Sequence, residues 1–535
     1  MKGRGIWILV LVVVALLIAR GLGNRPSGEE ASEPGSSARA DDPNALRILA
    51  GSELKDLEFL LPEMEKAAGA PIRFEYGGTL DAVDKLNAAS APYAFAWTSS
   101  GRYLSLATQG RIKASEKIML SPVILGVKAG KARELGWDRK DPTWGEIADA
   151  VKAGRFSYAM TNPTASNSGF SAVVGVAAAL SGKADGLTLA DINAPRLREF
   201  FSGQKLTAGS SGWLADAWRK NAQGLDGMVN YESVILSMNQ QGGLSEPLVP
   251  VYPKEGIITS DYPLMLLDEK RKPAYEALVA FLRQPQVQQR IMERTHRRPA
   301  APGVPLAGEF GQRLLVELPF PGSLDVLDGL LDAYLDELRR PGHSYFVLDV
   351  SGSMEEDGRI LQLRDGLLGL GGDSASLSSR FSRLQLRERV DLIAFSDRIV
   401  ATAALDFSDA AAFAAEKQRY REFVGSLQAD GGTAIYDALD EAYRRAGKAL
   451  PGEQDRYFSI VLMTDGKNTS GMGFDGFRQR YGQYGDAARI RVFPILFGES
   501  NNDEMKALAE LTGGRVFDGR KTSLVQVFRD IRGYQ

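Results

Sequence analysis

The sequence contains no cysteine and only two histidines, His296 and His343, among its 535 residues. The absence of cysteine excludes disulfides, thiolate metal sites, cysteine nucleophiles and an acylated lipoprotein cysteine. Two histidines leave little material for a histidine zinc site or a Ser-His-Asp triad. Any chemistry in this chain must therefore rely on carboxylate, hydroxyl, amide and basic side chains.

The chain also lacks an excess of either charge, with 64 basic and 67 acidic residues and a net charge of -3. This balance provides no basic face for nucleic acid, so no nucleic-acid partner is expected. Hydrophobic residues make up 44% and charged residues 24%, which is typical of globular proteins. The length exceeds what one hydrophobic core supports, and roughly two to four domains are expected.

The clearest targeting signal is an apolar run from Ile6 to Ala19, with basic residues on both sides. Positive charge ahead of a short apolar run is typical of a secretory signal or a signal anchor. The run covers about 21 Å of helix, short of a hydrocarbon core of about 30 Å. Extension from Gly3 to Gly23 with snorkelling arginines makes a thin span feasible. No clear small-x-small cleavage site follows, so an uncleaved anchor over 1–20 is favoured over a cleaved signal.

Residues 21–44 are rich in glycine, proline, serine and charge and have scarcely any large apolar side chain. Such a segment cannot bury enough surface to offset its chain entropy, which predicts a disordered tether. A tether directly after a membrane segment is consistent with display of the remaining chain outside the membrane.

From residue 45 onward, short apolar strands alternate with helical patterns, which indicates a parallel type of α/β sheet. The predicted strands are 45–51, 71–78, 93–100 and 155–160, and the predicted helices are 54–66, 80–88, 144–153 and 169–180. Two extended apolar passages, 121–130 and 247–267, are expected to cross between two lobes. A helical stretch over 274–293 closes this region, which we assign to residues 45–300.

Residues 301–342 are expected to connect two domains, with one helix over 324–338. A second α/β series occupies residues 343–535. Its predicted strands are 344–350, 390–396, 458–464 and 489–497, and its predicted helices are 359–368, 434–446, 504–511 and 523–531. Near-continuous apolar strands indicate burial on both faces, as in doubly wound sheets. Such open sheets bind ligands at the carboxyl ends of their strands.

Three motifs of this second series carry oxygen-bearing side chains to such positions. Asp349, Ser351 and Ser353 form a D-x-S-x-S pattern at the end of a predicted strand, Thr433 follows two glycines, and Asp465 follows another strand. Hard oxygen ligands suit Mg²⁺, with Mn²⁺ or Ca²⁺ as alternatives, rather than zinc. The competing interpretation is that these side chains only cap helices and turns. It leaves unexplained why both carboxylates lie at the ends of buried strands.

The motifs D-x-S-x-S, G-G-T and T-D-G, in this order, resemble the metal-ion-dependent adhesion site of von Willebrand factor A (VWA) domains. The resemblance covers about residues 343–535 and implies a doubly wound, Rossmann-like fold. It implies Ser351, Ser353 and Thr433 as direct ligands, with Asp349 and Asp465 close to the ion, partly through water. It also implies a sixth position that accepts an Asp or Glu from a protein partner. No nucleophile, base or cofactor loop surrounds these motifs, so binding rather than catalysis is expected.

Residues 45–300 resemble an extracellular solute-binding protein of the two-lobed periplasmic type. The resemblance rests on the initial strand–helix pair, the two crossings and the segment 162–172 with the pattern N-P-x-x-S-x-S-G-x-x-A. In oxyanion-binding members, such a segment opens a helix whose hydroxyl and N–H groups face the ligand. The implied ligand contacts are Ser52, Thr98, Ser99, Ser166, Ser168 and Tyr231. The segment YAFAWTSS departs from the family's usual acidic-rich version, so the solute is not specified. The alternative is a scaffold in which these hydroxyls only cap helices.

Together these features predict an α/β protein with one N-terminal transmembrane helix, a two-lobed periplasmic-binding-protein-like module and a VWA domain. The combination is similar to bacterial surface proteins that carry a substrate-binding module and a VWA domain. The first hypothesis is a membrane-anchored extracytoplasmic protein that binds a protein partner through Mg²⁺. The second is a transport-linked receptor that captures an anionic solute and signals through the VWA domain. A cation-dependent hydrolase is disfavoured because no nucleophile constellation is present.

Overall fold

The computed structural model describes residues 44–88, 90–183, 186–311, 313–372, 383–498 and 502–520, with 524, 527, 528 and 531. The predicted anchor over 1–20 lies outside the described residues. So do the predicted tether, apart from residue 44, and most of the helix predicted over 523–531. Across the described ranges, no helix combines the length and the apolar character needed to span a bilayer.

Strands in residues 46–299 form two sheets. The strands are β1 (Leu46–Gly51), β2 (Ile72–Gly77), β3 (Phe95–Trp97), β4 (Ala114–Lys117), β5 (Met119–Lys128), β6 (Tyr158–Thr161), β7 (Gln204–Ala208), β8 (Gly227–Tyr231), β9 (Leu248–Val251), β10 (Thr259–Ser260), β11 (Pro263–Leu266) and β12 (Arg298–Pro299). One sheet has the order β2-β1-β3-β11-β4, and the other has the order β10-β5-β8-β6-β7. Strands β9 and β12 also pair with β5. Each sheet is the centre of one lobe.

Two crossings connect the sheets, as predicted; the second lies within the predicted passage 247–267, whereas the first lies at residue 118, just before the predicted 121–130. The chain passes from β4 in the first sheet to β5 in the second, and it returns from β10 to β11. In the first sheet β1 is parallel to β2 and β3, whereas β11 runs antiparallel to β3. A strand that returns from the second lobe, β11, therefore completes the sheet of the first lobe.

Helices of the same module cover the faces of these sheets. They are Leu61–Ala68, Thr79–Asn87, Arg102–Ala107, Ala129–Leu135, Trp144–Lys152, Asn167–Ser181, Ala194–Phe201, Ser211–Asn221, Glu232–Gln241, Lys272–Leu282 and Pro285–Thr295, with 3-10 turns at Ser52–Leu60, Leu189–Asp191 and Glu269–Arg271. The single helix expected over 274–293 is two helices in the structure. Pro285 begins the second helix because proline lacks an N–H group but fits the first helical turn.

The segment predicted as a connection packs against both lobes. It contains the expected helix, as Leu324–Ala333 followed by a π-helical turn at Tyr334–Leu338. In the first lobe, the Tyr103 hydroxyl donates to Asp328 Oδ1 at 2.8 Å. In the second lobe, the Tyr334 hydroxyl donates to Gln204 Oε1 at 3.1 Å. Apolar side chains of this helix share one hydrophobic core with residues of both lobes. This helix, which we call the strut helix (Leu324–Ala333 with the π-helical turn Tyr334–Leu338), thus contacts both lobes and connects them.

The second domain contains one sheet with helices on both faces. Its strands are β13 (Gly342–Asp349), β14 (Arg389–Phe395), β15 (Ile399–Asp406), β16 (Tyr457–Thr464), β17 (Arg491–Leu496) and β18 (Phe517–Asp518). Its helices are Arg359–Gly371, Phe413–Ser426, Ile435–Ala449, Phe474–Tyr481 and Asn502–Thr512, with 3-10 turns at Gly352–Gly358, Leu450–Gly452 and Gly482–Arg489. The order is β15-β14-β13-β16-β17-β18, and β15 is the antiparallel edge strand.

Buried apolar clusters lie on both faces of this second sheet. The doubly wound, Rossmann-like prediction is therefore confirmed, with the four predicted strands at β13, β14, β16 and β17. The sequence analysis did not identify β15, whose residues alternate between partly buried and exposed along most of its length. An edge strand with one solvated face carries a weaker apolar signal than the buried strands beside it.

Candidate metal site and solute cleft

The predicted metal residues lie where the winding of the second sheet reverses direction. The chain leaves β13 toward β14 on one side and leaves β16 toward β17 on the other. A crevice forms outside the carboxyl ends of two such strands. Asp349 is the last residue of β13, and Asp465 directly follows the last residue of β16. The local sequence thus delivers one carboxylate from each central strand to this crevice.

Asp349 is fully buried, with 0% of its surface exposed. Its Oδ1 accepts a hydrogen bond from the Ser351 N–H at 2.9 Å, and its Oδ2 accepts one from the Thr464 hydroxyl at 2.6 Å. The pKa of Asp349 is raised to about 6, chiefly by burial and to a smaller extent by the charge of Asp465, while the hydrogen bonds from Ser351 and Thr464 oppose the rise. The carboxylate is therefore held rigidly in a position where its negative charge is unfavourable by itself.

The two serine hydroxyls of the D-x-S-x-S pattern lie side by side. The Oγ atoms of Ser351 and Ser353 are 3.2 Å apart. In an octahedral site with metal–oxygen distances of about 2.1 Å, neighbouring ligand oxygens are about 3 Å apart. The spacing of these hydroxyls therefore fits two adjacent ligands of one small divalent cation.

Thr433 reaches the same crevice on a loop that is hydrogen-bonded to both neighbouring loops. The Gly352 N–H donates to the Gly431 carbonyl at 3.0 Å. The Thr433 N–H donates to the Thr469 hydroxyl at 2.9 Å. Gly431 has a φ of +80°, a left-handed conformation that explains why glycine stands two residues before this threonine. The loop of Thr433 is thus hydrogen-bonded to the loops that follow β13 and β16.

Asp465 has a partner that the sequence analysis did not foresee. Nη1 of Arg359 donates to Asp465 Oδ2 at 3.0 Å and to the Ser353 carbonyl at 3.1 Å. A single guanidinium nitrogen therefore bridges the loops that carry Ser353 and Asp465. Within the described residues, no group of three or more His, Asp or Glu side chains is placed to hold a metal. The fit of a cation accordingly depends on hydroxyl oxygens, which supply three of the five predicted ligands.

A cleft of about 330 Å³ lies between the two lobes of the first domain. Four of the six predicted solute contacts line it, namely Ser52, Thr98, Ser99 and Ser166. The first three follow or end strands β1 and β3, and Ser166 precedes the helix Asn167–Ser181. The cleft therefore lies at the carboxyl ends of strands, as expected for sheets of this type.

The other two predicted contacts lie behind the wall of the cleft. The Ser168 hydroxyl is buried and lies 2.8 Å from the hydroxyls of both Thr161 and Ser211. The Tyr231 hydroxyl, also buried, accepts a hydrogen bond from Asn167 Nδ2 at 3.1 Å. Ser168 and Tyr231 thus lie behind the residues that line the cleft and hold hydrogen bonds among them. Their contact with a solute stays a prediction.

Several residues of the cleft were missed from the sequence, namely Glu53, Lys55, Asn167, Ser210, Trp213 and Arg515. Asn167 had a local signal, because it stands between the two serines of the N-P-x-x-S-x-S segment. It is 3% exposed, and its Oδ1 has no hydrogen-bond partner in the described structure. Burial raises the pKa of Glu53, while Arg297 acts to lower it. Arg515 had no local signal, because it belongs to the other domain.

Comparison with known proteins finds a family match for two separate parts of the chain. Residues 46–295 match the family described as bacterial extracellular solute-binding protein, and residues 345–530 match the von Willebrand factor type A domain. The chain therefore combines a solute-binding domain of the first family with a VWA domain. Both are families of binding domains rather than enzymes.

Individual relatives are distant. An uncharacterized protein of Synechocystis sp. is 32% identical over 180 residues, which are 33% of this chain and 37% of the relative. The chain thus spans little more than a third of that relative's length. The ferric binding protein of Campylobacter jejuni aligns with a TM-score of 0.43 and 11% identity over 54% of this chain and 98% of its own. The fructose-6-phosphate-bound periplasmic binding protein AfuA of Actinobacillus pleuropneumoniae aligns with a TM-score of 0.43 and 13% identity, over 56% of this chain and 99% of its own.

Proposed function

We propose that this chain is an extracytoplasmic binding protein whose VWA domain holds a divalent cation and uses it to bind an acidic protein partner. The cation is Mg²⁺, with Mn²⁺ or Ca²⁺ as alternatives. The observation that carries the proposal is the 3.2 Å spacing of the Ser351 and Ser353 hydroxyls beside two carboxylates at the crevice of the sheet. Oxygen ligands of this kind are those that hard divalent cations prefer.

The residues have distinct roles in this proposal. Ser351, Ser353 and Thr433 would hold the cation directly, while Asp349 and Asp465 supply negative charge next to it. A bound cation supplies a positive charge that attracts a carboxylate of the partner. The buried charge of Asp349 supports this assignment, because a nearby cation offsets the unfavourable burial of an ionised carboxylate.

The surroundings of the crevice favour binding over catalysis. Neither histidine of the chain is near it. His343 lies at the start of β13, at the end opposite Asp349, and contacts Asp391 and Glu453. His296 lies in the solute-binding domain and contacts Glu309. No general base of the histidine type is therefore available beside the motif hydroxyls.

Calorimetric titration of Mg²⁺ tests the metal site. The wild type and a Ser426→Ala control should bind Mg²⁺, whereas a Ser351→Ala, Ser353→Ala double variant should not. Ser426 is a suitable control because it is an exposed residue at the end of a helix of the same domain, and its hydroxyl donates to the Phe423 carbonyl of that helix. Partner capture from membrane extracts should follow the same pattern and should be lost in EDTA. Equal Mg²⁺ affinity in the double variant would contradict the assignment.

We also propose that residues 1–20 anchor the protein in the membrane and that residues 21–44 tether it, with the bulk of the chain outside. The match of residues 46–295 to an extracellular solute-binding family supports the extracytoplasmic location. Mass spectrometry of the amino-terminal peptide of the membrane-extracted protein tests the anchor. An intact amino terminus is expected, and a mature chain that begins near residue 24 would indicate a cleaved signal instead.

A second candidate function is a transport-linked receptor that captures an anionic solute and signals through the VWA domain. It is favoured by the cleft, which is lined by the hydroxyl-bearing residues Ser52, Thr98, Ser99 and Ser166. The strut helix supports it too, because that helix contacts both lobes and leads directly into β13. Titration with a panel of oxyanions tests this function, and the absence of heat for every anion would favour a scaffold without a solute.

A further inference from the structure

Arg515 belongs to the VWA domain but lines the cleft of the solute-binding domain. It lies between the helix Asn502–Thr512 and β18. The other residues that line the cleft come from both lobes, for example Lys55 from the first lobe and Ser166 and Ser210 from the second. The cleft therefore has a third wall, which the solute-binding domain alone does not provide.

The guanidinium of Arg515 is held between two aromatic rings. Its central carbon is 4.2 Å from the centroid of the Trp213 ring and 5.3 Å from that of Phe517. Trp213 lies in the first turn of the helix Ser211–Asn221, so the contact joins the two domains at the rim of the cleft. A guanidinium on an indole face is stabilised by a cation–π interaction, and its N–H donors lie in its own plane. The stacking orients the group without replacing its role as a donor.

The backbone before Arg515 is fixed against the sheet. Gly513 has a φ of +72°, and the Gly514 N–H donates to the Ala509 carbonyl at 2.8 Å, which ends the preceding helix. A Cβ on Gly514 would lie 1.8 Å from the Val492 carbonyl oxygen, so only glycine permits this approach to β17. Arg515 therefore extends into the cleft from a defined point of the VWA domain.

The chemistry of the cleft indicates the class of its ligand. The amino-terminal ends of three helices border it: Thr79–Asn87, Asn167–Ser181 and Ser211–Asn221. Helix amino termini attract anions, and the side chains of Lys55 and Arg515 add positive charge. One carboxyl group, that of Glu53, also lines the cleft, and its pKa is raised by burial. The buried Oδ1 of Asn167, which has no partner in the described structure, requires a donor. An anion that also carries a hydroxyl or amine group satisfies both demands.

We propose that Arg515 contacts the solute, so that the VWA domain completes the solute site, and that the solute is a small anion bearing a hydroxyl or amine donor. This inference rests on the second candidate function, solute binding, and is independent of the metal site. Because one side chain belongs to both the VWA domain and the cleft, docking of the VWA domain and solute affinity are linked in both directions.

Titration calorimetry with inorganic phosphate, glycerol 3-phosphate and citrate tests the proposal, with glycerol as the neutral probe. The wild type should bind at least one anion and not glycerol. Arg515→Gln should lower the affinity for that anion about tenfold or more, since a hydrogen bond to a charged group contributes at least that factor to binding. Arg515→Lys should recover part of the loss. The control is Arg489→Gln, at a VWA arginine whose side chain is 86% exposed.

The outcomes separate this inference from the functions on which it rests. If Ser166→Ala weakens the anion while Arg515→Gln does not, solute binding stands and Arg515 is only a packing contact. If no anion binds the wild type, the solute function fails and the inference fails with it. An unchanged midpoint of unfolding in urea for Arg515→Gln verifies that the VWA domain is intact in that variant.

Discussion

Replacement of Asp349 by asparagine should have opposite effects on the stability of the protein and on its affinity for Mg²⁺. Asparagine has nearly the same shape but carries no charge. The carboxylate is 0% exposed, and burial together with the charge of Asp465 raises its pKa to about 6. The charge is thus unfavourable for folding without a cation, whereas the same charge favours the binding of a cation.

The size of the stability effect follows from the pKa. A rise from 3.8 to about 6 corresponds to about 3 kcal/mol lost at neutral pH, at about 1.36 kcal/mol per unit. The amide has one acceptor, so it keeps the bond from the Ser351 N–H but not the one that Thr464 donates. That loss costs about 1 kcal/mol. Asp349→Asn should therefore raise the free energy of unfolding by roughly 1–2 kcal/mol in EDTA at pH 7.5.

The pH dependence has a definite sign. The pKa of this carboxyl group is 3.8 in the unfolded chain and about 6 in the folded protein. Its protonation therefore stabilises the fold fully below pH 3.8, and this stabilisation is lost as the pH rises through about 6. The difference in stability between Asp349→Asn and the wild type should therefore be largest above pH 6 and should shrink between pH 6 and pH 4.

Calorimetric unfolding in EDTA and in excess Mg²⁺ measures both effects. At a Mg²⁺ concentration 100 times its Kd, the wild type should gain about 2.7 kcal/mol, and the variant should gain much less. The reasoning is refuted if the variant is less stable than the wild type in EDTA at pH 7.5, or if both respond equally to Mg²⁺.

Three further substitutions test separate parts of the structure. In the wild type, two nitrogens of the buried Arg298 donate to the carboxylate of Glu232 at 2.7 Å. Glu232→Gln removes this counter-charge and should lower the free energy of unfolding, measured in urea, by about 3–5 kcal/mol. An unchanged urea midpoint would contradict this. Gly169 lies in the first turn of the helix Asn167–Ser181, and a Cβ there would lie 2.3 Å from the Thr161 carbonyl oxygen. Gly169→Ala should therefore lower the melting temperature and weaken the binding of glycerol 3-phosphate. Wild-type values for both would count against it. Thr433→Val should abolish the stabilisation by Mg²⁺, whereas Thr433→Ser should keep it. An equal loss in both variants would point to packing instead of a ligand role.

Local patterns in the sequence carried much of the fold. Apolar runs predicted β13 and β16, and their motif residues predicted that Asp349 and Asp465 would meet at one edge of the sheet. These features are readable because a strand, its end and the turn after it depend on neighbouring residues. The break at Pro285 was also readable in principle, since proline cannot continue a helix. The prediction of one helix there gave too much weight to apolar spacing.

Other features depend on residues that meet only after the domains have packed. Ser168 and Tyr231 were predicted as solute contacts together with the wall residues of the cleft, yet their side chains lie behind the wall. The spacing of residues in the sequence does not show how deeply a side chain is buried. Arg515 stacks on Trp213 although the two residues lie in different domains. The amino-acid sequence therefore specified the strands, the motif loops and the chemistry available at their ends. The docking of two buried surfaces, which involves contacts between residues far apart in the chain, decided which of those groups share one cavity.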